Sequence, residues 1–305
     1  GMGVLESSGY LARSAALIDK PLTKVGLNGR SFLPLLSGCA CAIPAILATR
    51  TIANRRVRLL TMAVIPLMQC AARLPVYGLL LGLLFASTWH SAMALTGIYM
   101  GSIVLAGVIS GVLARYIPQQ ESDHFLMALP AWRTPVWGQL CKQVVRRTWR
   151  FIEGAGPIIV VITICLWGIS TFPSPEHSLL TMFGQWVAPI FAPMGVDWRV
   201  GVAIILSFAA REVFVSALAV VFNIADANIS QVSDIAAVTF ESTGLPIFTT
   251  GSIIGLILFF MVAMQCGATL AVVKKETRSY VLPVLQLVGY IILAYGLAVF
   301  ANWGI

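Results

Sequence analysis

Charge is what this sequence has least of. Only 10% of its 305 residues are Asp, Glu, Lys or Arg, where soluble domains carry about 25%. A soluble enzyme of this length is thereby excluded. Acid is the scarcer sign, with 12 Asp and Glu against 20 Lys and Arg. The histidines His90, His124 and His177 share no ligand spacing and read as surface residues in loops. No GxxxxGK[ST] phosphate loop occurs, so this chain does not itself bind and hydrolyse nucleotide by that route. HExxH, GxSxG and paired CxxC motifs are lacking, and so is a signal-peptide pattern.

What fills the space is apolar. The chain is 58% hydrophobic with a mean hydropathy of +0.89. Runs at residues 59–86, 92–114, 155–172, 200–222, 248–273 and 281–300 approach or exceed the roughly 20 residues that a helix needs to cross a hydrocarbon core. The 155–172 run is slightly short. The class is a polytopic all-α membrane protein.

The net charge of +8 therefore implies no nucleic acid partner. Its basic residues sit at the ends of apolar runs: Arg50, Arg55, Arg56 and Arg58, then the stretch from Arg133 to Arg150, then Lys274, Lys275 and Arg278. Such clusters mark cytoplasmic loops. Residues 87–91 and 173–197 contain no Lys or Arg and are expected outside. Parity does not close in the second half, so one run there is expected to be re-entrant. A polar middle, residues 115–153, separates two hydrophobic halves. Within it Trp137, Leu140, Val144, Thr148 and Phe151 recur at helical spacing, away from Lys142, Arg146, Arg147 and Arg150. That pattern predicts an interfacial helix on anionic membrane lipids.

Each half holds broken apolar segments. "SFLPLLSGCACAIPAIL" contains Pro34, Gly38 and Pro44; the following run carries Pro66, Gln69, Cys70, Arg73 and Pro75. The second half places Arg211 and Glu212 near the centre of one run, and Gln265 and Cys266 before Gly267 in another. A charge at the bilayer centre costs about 3 kcal/mol on insertion scales, and backbone freed by Pro or Gly must be satisfied inside protein. Interrupted helices in matching positions of two halves point to a transporter's central site.

Four of the six cysteines, Cys41, Cys70, Cys165 and Cys266, lie inside apolar runs. Thiolates select soft or borderline transition metals. Unwound backbone beside Cys41, Cys70 and Cys266 would add carbonyl oxygens, and Glu6 or Glu212 a carboxylate. The alternative is that the cysteines are small buried hydrophobes and the glutamates pair with Arg13 and Arg211. From the residues alone, both stay open.

"LESSGYLARSAALIDK", "GCACAIPAILATRTIANRRVRLLT", "PLMQCAARLPVY" and "QCGATLAVVKKET" resemble the membrane domain of the ferrous iron transporter B family, FeoB. The resemblance keeps order and spacing over nearly the whole chain. It implies a helical bundle with two gate pseudo-repeats, similar to those of nucleoside transporters: residues 1–114 and 155–305, with a middle segment at 115–154. The implied function is import of Fe²⁺ across a bacterial inner membrane, with Fe²⁺ as cargo and no catalysis in this chain. Cys41, Cys70 and Cys266 match the family's proposed iron-handling cysteines, and Glu6 and Glu212 its gate glutamates. The family also implies an N-terminal GTP-binding domain, which would bring GTP and Mg²⁺. This chain is expected to be a fragment lacking it. A small cytoplasmic accessory protein and further copies of the chain are the other implied partners. Departures occur at Ser7, Ala128, Arg133, Arg211 and Gln265, where the family commonly has Asp, Glu, His, Lys and Pro. Two other functions compete. A nucleoside-type or other small-solute transporter would need amide and hydroxyl groups rather than thiols, and a membrane scaffold would not need Glu6, Arg73 or Glu212 inside the bilayer.

Overall fold

The computed structural model describes residues 10–85, 87–117, 138, 141–142, 144–146, 148–149, 153, 160, 164, 186–208, 211, 213–221 and 248–304. Among the described residues there are helices and no strand. The chain opens with α1 (Tyr10–Lys24), α2 (Gly29–Gly38), α3 (Ala42–Ala48), α4 (Arg55–Val64), α5 (Leu74–Leu84) and α6 (Thr88–Tyr116). After the middle come α7 (Trp186–Met194), α8 (Trp198–Leu206), α9 (Val213–Val221), α10 (Thr250–Val262), α11 (Gly267–Thr277) and α12 (Val281–Gly304).

Among the described residues, four stretches are long and apolar enough to cross a membrane: Arg55–Leu84, Thr88–Tyr116, Thr250–Thr277 and Val281–Gly304. The α7–α8 pair, bent by 97°, is a fifth broken span or a re-entrant loop. Burial separates the first two: 67% of the apolar window is buried in Arg55–Leu84, against 11% in Thr88–Tyr116. The former stretch is mostly enclosed by protein and the latter mostly on the surface. At 1.5 Å per residue α6 runs about 43 Å, longer than the roughly 30 Å hydrocarbon core.

The described residues fall in two compact units, one drawn from 1–70, 102–158 and 271–283, the other from 71–101, 159–270 and 284–305. In the first unit, polar side chains fix the helix starts. Asp19 of α1 accepts a 2.6 Å hydrogen bond from the Gly29 amide at the head of α2. Asn54 caps α4 by accepting from the Arg56 and Val57 amides, satisfying donors that a helix start leaves unpaired. Gly26, at φ 80°, makes the turn between α1 and α2; a Cβ there would overlap the Ala114 side chain of α6, so only glycine fits both the left-handed backbone and the close approach. Ser110 of α6 donates to the Val25 carbonyl at 2.9 Å, and Thr61 of α4 donates to Ser31 of α2 at 2.8 Å. The apolar centre is Ala45, Ile46, Met62, Ile65 and Val273.

In the second unit Asp197 caps α8 and Thr249 caps α10. Phe214 of α9 and Phe260 of α10 meet edge-to-face with centroids 4.6 Å apart, a favoured aromatic geometry. Tyr295 of α12 donates to the Ile190 carbonyl at 2.8 Å.

Two expected runs are continuous helices, 92–114 within α6 and 281–300 within α12. Three others are interrupted. The 59–86 run breaks around Pro66 and Arg73, the 248–273 run at 263–266, and the 200–222 run between α8 and α9. Arg211, expected within a crossing, thus sits at a break, which frees it to reach another segment. His90 lies in the first turn of α6 rather than in a loop, stacked on Phe85 at 6.2 Å. The 155–172 run, the packing of the amphipathic middle segment, His124 and His177 lie outside the described residues, apart from the scattered helical positions named above.

Candidate functional site

The first interruption falls between α2 and α3. α2 ends at Gly38, where an added Cβ would stand 3.3 Å from the Cγ of Met68, so the position favours a residue without a side chain. The freed amides then close on local carbonyls: Cys39 donates to Leu36 at 3.2 Å, and Ala40 and Cys41 donate to Ser37 at 3.0 Å each. Cys41 is extended (φ −157°, ψ 135°) and starts α3. Cys39, Cys41 and Cys70 are half-buried, and Cys39 and Cys70 are near enough to interact electrostatically. A sulfur-rich, locally satisfied turn is the result.

The second interruption, at 263–266, is satisfied from afar. Arg73 is fully buried. It donates from Nη1 to the Met261 carbonyl at 3.0 Å and from Nη2 to the Ala263 carbonyl at 3.1 Å. Arg211, 6% exposed, donates from Nε to the Gln265 carbonyl at 3.1 Å. The Gly267 amide donates to the Phe208 carbonyl at 3.1 Å. Two guanidiniums thus take one carbonyl in the last turn of α10 and two in the unwound segment after it, using the planar fork that lysine lacks. Sequence reasoning flagged both arginines as charges in a membrane but not this role. Their partners are backbone atoms 54 to 190 residues away, which no residue type reveals.

At the second break the 261 and 265 carbonyls each accept from a guanidinium, and the 263 carbonyl accepts both from Arg73 and, at 3.2 Å, from the Gln265 amide. Gln265 is the converse case. Its side chain is fully buried, and neither Nε2 nor Oε1 has a hydrogen-bond partner among the described residues. Buried carboxamides are nearly always paired, so this one is a polar group in want of a ligand. Cys266 beside it is half-buried.

Of the expected site residues, Cys41 and Cys70 lie in the first unit and Cys266 in the second; Glu6 and Glu212 lie outside the described residues. Among the described residues no three His, Cys, Asp or Glu side chains are grouped to hold a metal ion.

The basic cluster has a defined anchor. Arg50 (2.5 Å) and Arg58 (3.0 Å) both pair with Glu276, whose side chain is only 4% exposed. The end of α11 and the start of α4 therefore share one edge of the first unit, where Arg56 donates to the Ala114 carbonyl at the end of α6. Arg50 lies outside the apolar spans, and its hydrogen bond to Glu276 raises its pKa further.

Comparison with known proteins carries the assignment further. The gate family described as nucleoside recognition matches residues 1–84 and 152–280, and the C terminus of ferrous iron transport protein B matches residues 95–149. The chain is 36% identical to the Fe(2+) transporter FeoB of Leptospira interrogans, over 99% of this chain and 47% of the relative. It is 38% identical to that of Leptospira biflexa (93% and 44%) and 33% identical to that of Campylobacter jejuni (91% and 46%). It thus spans about half the length of these curated relatives. No solved structure matches. With both gate segments and the intervening segment matched in order, the chain belongs to the ferrous iron transporter B family and corresponds to its multi-pass membrane domain.

Proposed function

We propose that this chain is the membrane-permeation domain of a bacterial inner-membrane Fe²⁺ importer. The ion meets thiols at the interrupted helices, Cys41 and Cys70 from the first gate and Cys266 from the second, with Glu6 and Glu212 as carboxylate partners. A thiol–carboxylate set suits a borderline divalent first-row ion better than Mg²⁺ or Ca²⁺, which prefer oxygen cages. The observation that carries this reading is the placement of half-buried cysteines at a backbone break in each half, in a family whose members are named Fe(2+) transporters. The buried Gln265 amide beside Cys266, without a hydrogen-bond partner among the described residues, adds an oxygen acceptor.

Arg73 and Arg211 put positive charge on the second break, so a dication there requires a compensating anion. Glu212 and a Cys266 thiolate are the groups placed in sequence to supply it. A GTP-binding domain, with its Mg²⁺, gates the passage; a small cytoplasmic protein and further copies of the chain complete the assembly.

The Gln265 amide also favours a second reading, a nucleoside-type solute transporter, since a base needs both a donor and an acceptor. Uptake of ⁵⁵Fe²⁺ and of labelled nucleoside separates the two. The chain, fused to a GTP-binding domain, is expressed in a strain lacking its ferrous importer. Iron uptake that falls about tenfold or more in the Cys41→Ser, Cys70→Ser and Cys266→Ser variants at equal expression supports the proposal. Wild-type iron uptake in all three makes the cysteines packing residues, and nucleoside uptake would favour the second reading.

A further inference from the structure

The first unit carries a groove of about 690 Å³ where the α1–α2 turn meets α4 and the second half of α6. That volume is in the range of small-molecule sites, about 300–1,000 Å³. Two kinds of side chain line it. Lys24 of α1, Arg56 of α4 and Arg115 of α6 supply three cations from three different helices. Val104, Val108 and Val112 supply an apolar stripe along α6, each about half exposed or more.

Among the described residues no carboxylate lines the groove. The two acids near this edge are engaged elsewhere: Asp19 on the Gly29 amide, Glu276 on Arg50 and Arg58. Arg56 spends Nη2 on the Ala114 carbonyl, while its Nε is buried without a hydrogen-bond partner among the described residues.

The stripe has a length that matters. From Val104 to Arg115 is 11 residues, about 16 Å of helix. Half of a hydrocarbon core about 30 Å thick is about 15 Å. A molecule whose anion sits at Lys24, Arg56 and Arg115 can therefore lay one apolar chain along α6 to the bilayer's middle. Gly107 and Gly111 lie between the valines, and a Cβ on either would meet nothing within 4 Å. The groove is open along that line.

We propose that this groove binds an anionic glycerophospholipid of the cytoplasmic leaflet, its phosphate held by Lys24, Arg56 and Arg115 and one acyl chain lying over Gly107 and Gly111. A free phosphate would satisfy the cations but leave the stripe without purpose. A zwitterionic lipid would satisfy the stripe but leave positive charge uncompensated. The site does not depend on which ion the protein carries.

The test uses the intact chain in detergent, with lipid retention read by native mass spectrometry against phosphatidylglycerol and phosphatidylcholine offered in equal amounts. Preferential retention of phosphatidylglycerol is expected. At about 1 kcal/mol per basic residue near an anionic surface, Lys24→Gln and Arg115→Gln each lower that preference about fivefold, and the pair about 25-fold. Gly111→Leu fills the open line without removing charge; it lowers retention of the lipid while leaving binding of inorganic phosphate unchanged. Arg30→Gln, at an exposed position that does not line the groove, is without effect. Arg56 is left intact because its bond to Ala114 supports the fold. Equal retention of both lipids by the wild-type chain, or an unchanged preference in the Lys24→Gln/Arg115→Gln chain, overturns the proposal. So does a Gly111→Leu chain that retains phosphatidylglycerol as the wild type does, which would reduce the groove to an anion site.

Discussion

The two interruptions solve one problem in opposite ways. At the first, residues 39–41 turn on carbonyls only three or four residues back, and no buried cation takes part among the described residues. At the second, residues 263–266 stay unwound because Arg73 and Arg211 hold the 261, 263 and 265 carbonyls. A broken helix in lipid must satisfy its own backbone. It can do so by a local turn, which is self-sufficient, or by imported donors, which make its shape a property of the whole unit. The chemistry differs accordingly. On the proposed route the first break offers sulfur, whereas the second adjoins two guanidinium groups and a Gln265 amide with no hydrogen-bond partner among the described residues.

The largest expected effect lies at the second break. Arg73→Ala removes the two guanidinium hydrogen bonds to the Met261 and Ala263 carbonyls and empties a fully buried side-chain site, and hydrogen bonds to charged groups are worth about 1.5–3 kcal/mol each. A loss of about 3 kcal/mol or more should appear as a much lower unfolding temperature in detergent. Arg73→Lys keeps the charge but not the fork and should fall between the two. A fully stable Arg73→Ala chain would remove the basis of the comparison.

At the first break the effect should be smaller, because only packing is disturbed. Gly38→Val forces a branched side chain against Met68 and Ile65, an overpacking that costs about 1–3 kcal/mol. Gly38→Ala should be tolerated, since a flexible methionine can yield. If Gly38→Ala proved as damaging as Arg73→Ala, the first turn would not be self-sufficient.

Smallest of all is the anchor. Glu276→Gln weakens the hold on Arg50 and Arg58; Glu276 is 4% exposed but its partners are 60% and 29% exposed, and pairs whose cation reaches solvent contribute about 1 kcal/mol or less. A fall of about that size is expected in low salt. The gap between wild type and variant should narrow as salt is raised, because exposed charges are screened.

Which of these features could be read in the sequence follows from their range. The first turn was legible, because Gly38, the cysteines and Pro44 carry their own local consequences within a few residues. So was the common edge of Arg50 and Arg58, marked by charge against an apolar run. Gln265 and Cys266 before Gly267 signalled that the 248–273 run would break. What the second break rests on was not legible, since Arg73 acts on backbone atoms some 190 residues away and any residue type could have supplied those carbonyls. Nor was Glu276, an acid in a basic stretch whose two partners lie 218 and 226 residues upstream.

The account turns on sulfur at both breaks acting as a ligand. X-ray absorption at the iron edge, on Fe²⁺-loaded protein kept anaerobic, reads this directly. The prediction is iron–sulfur scattering at about 2.3 Å, the length of a metal–thiolate bond, reduced in both the Cys41→Ser and the Cys266→Ser proteins. A first shell of oxygen and nitrogen alone, unchanged in those variants, would contradict it and leave the cysteines as packing residues.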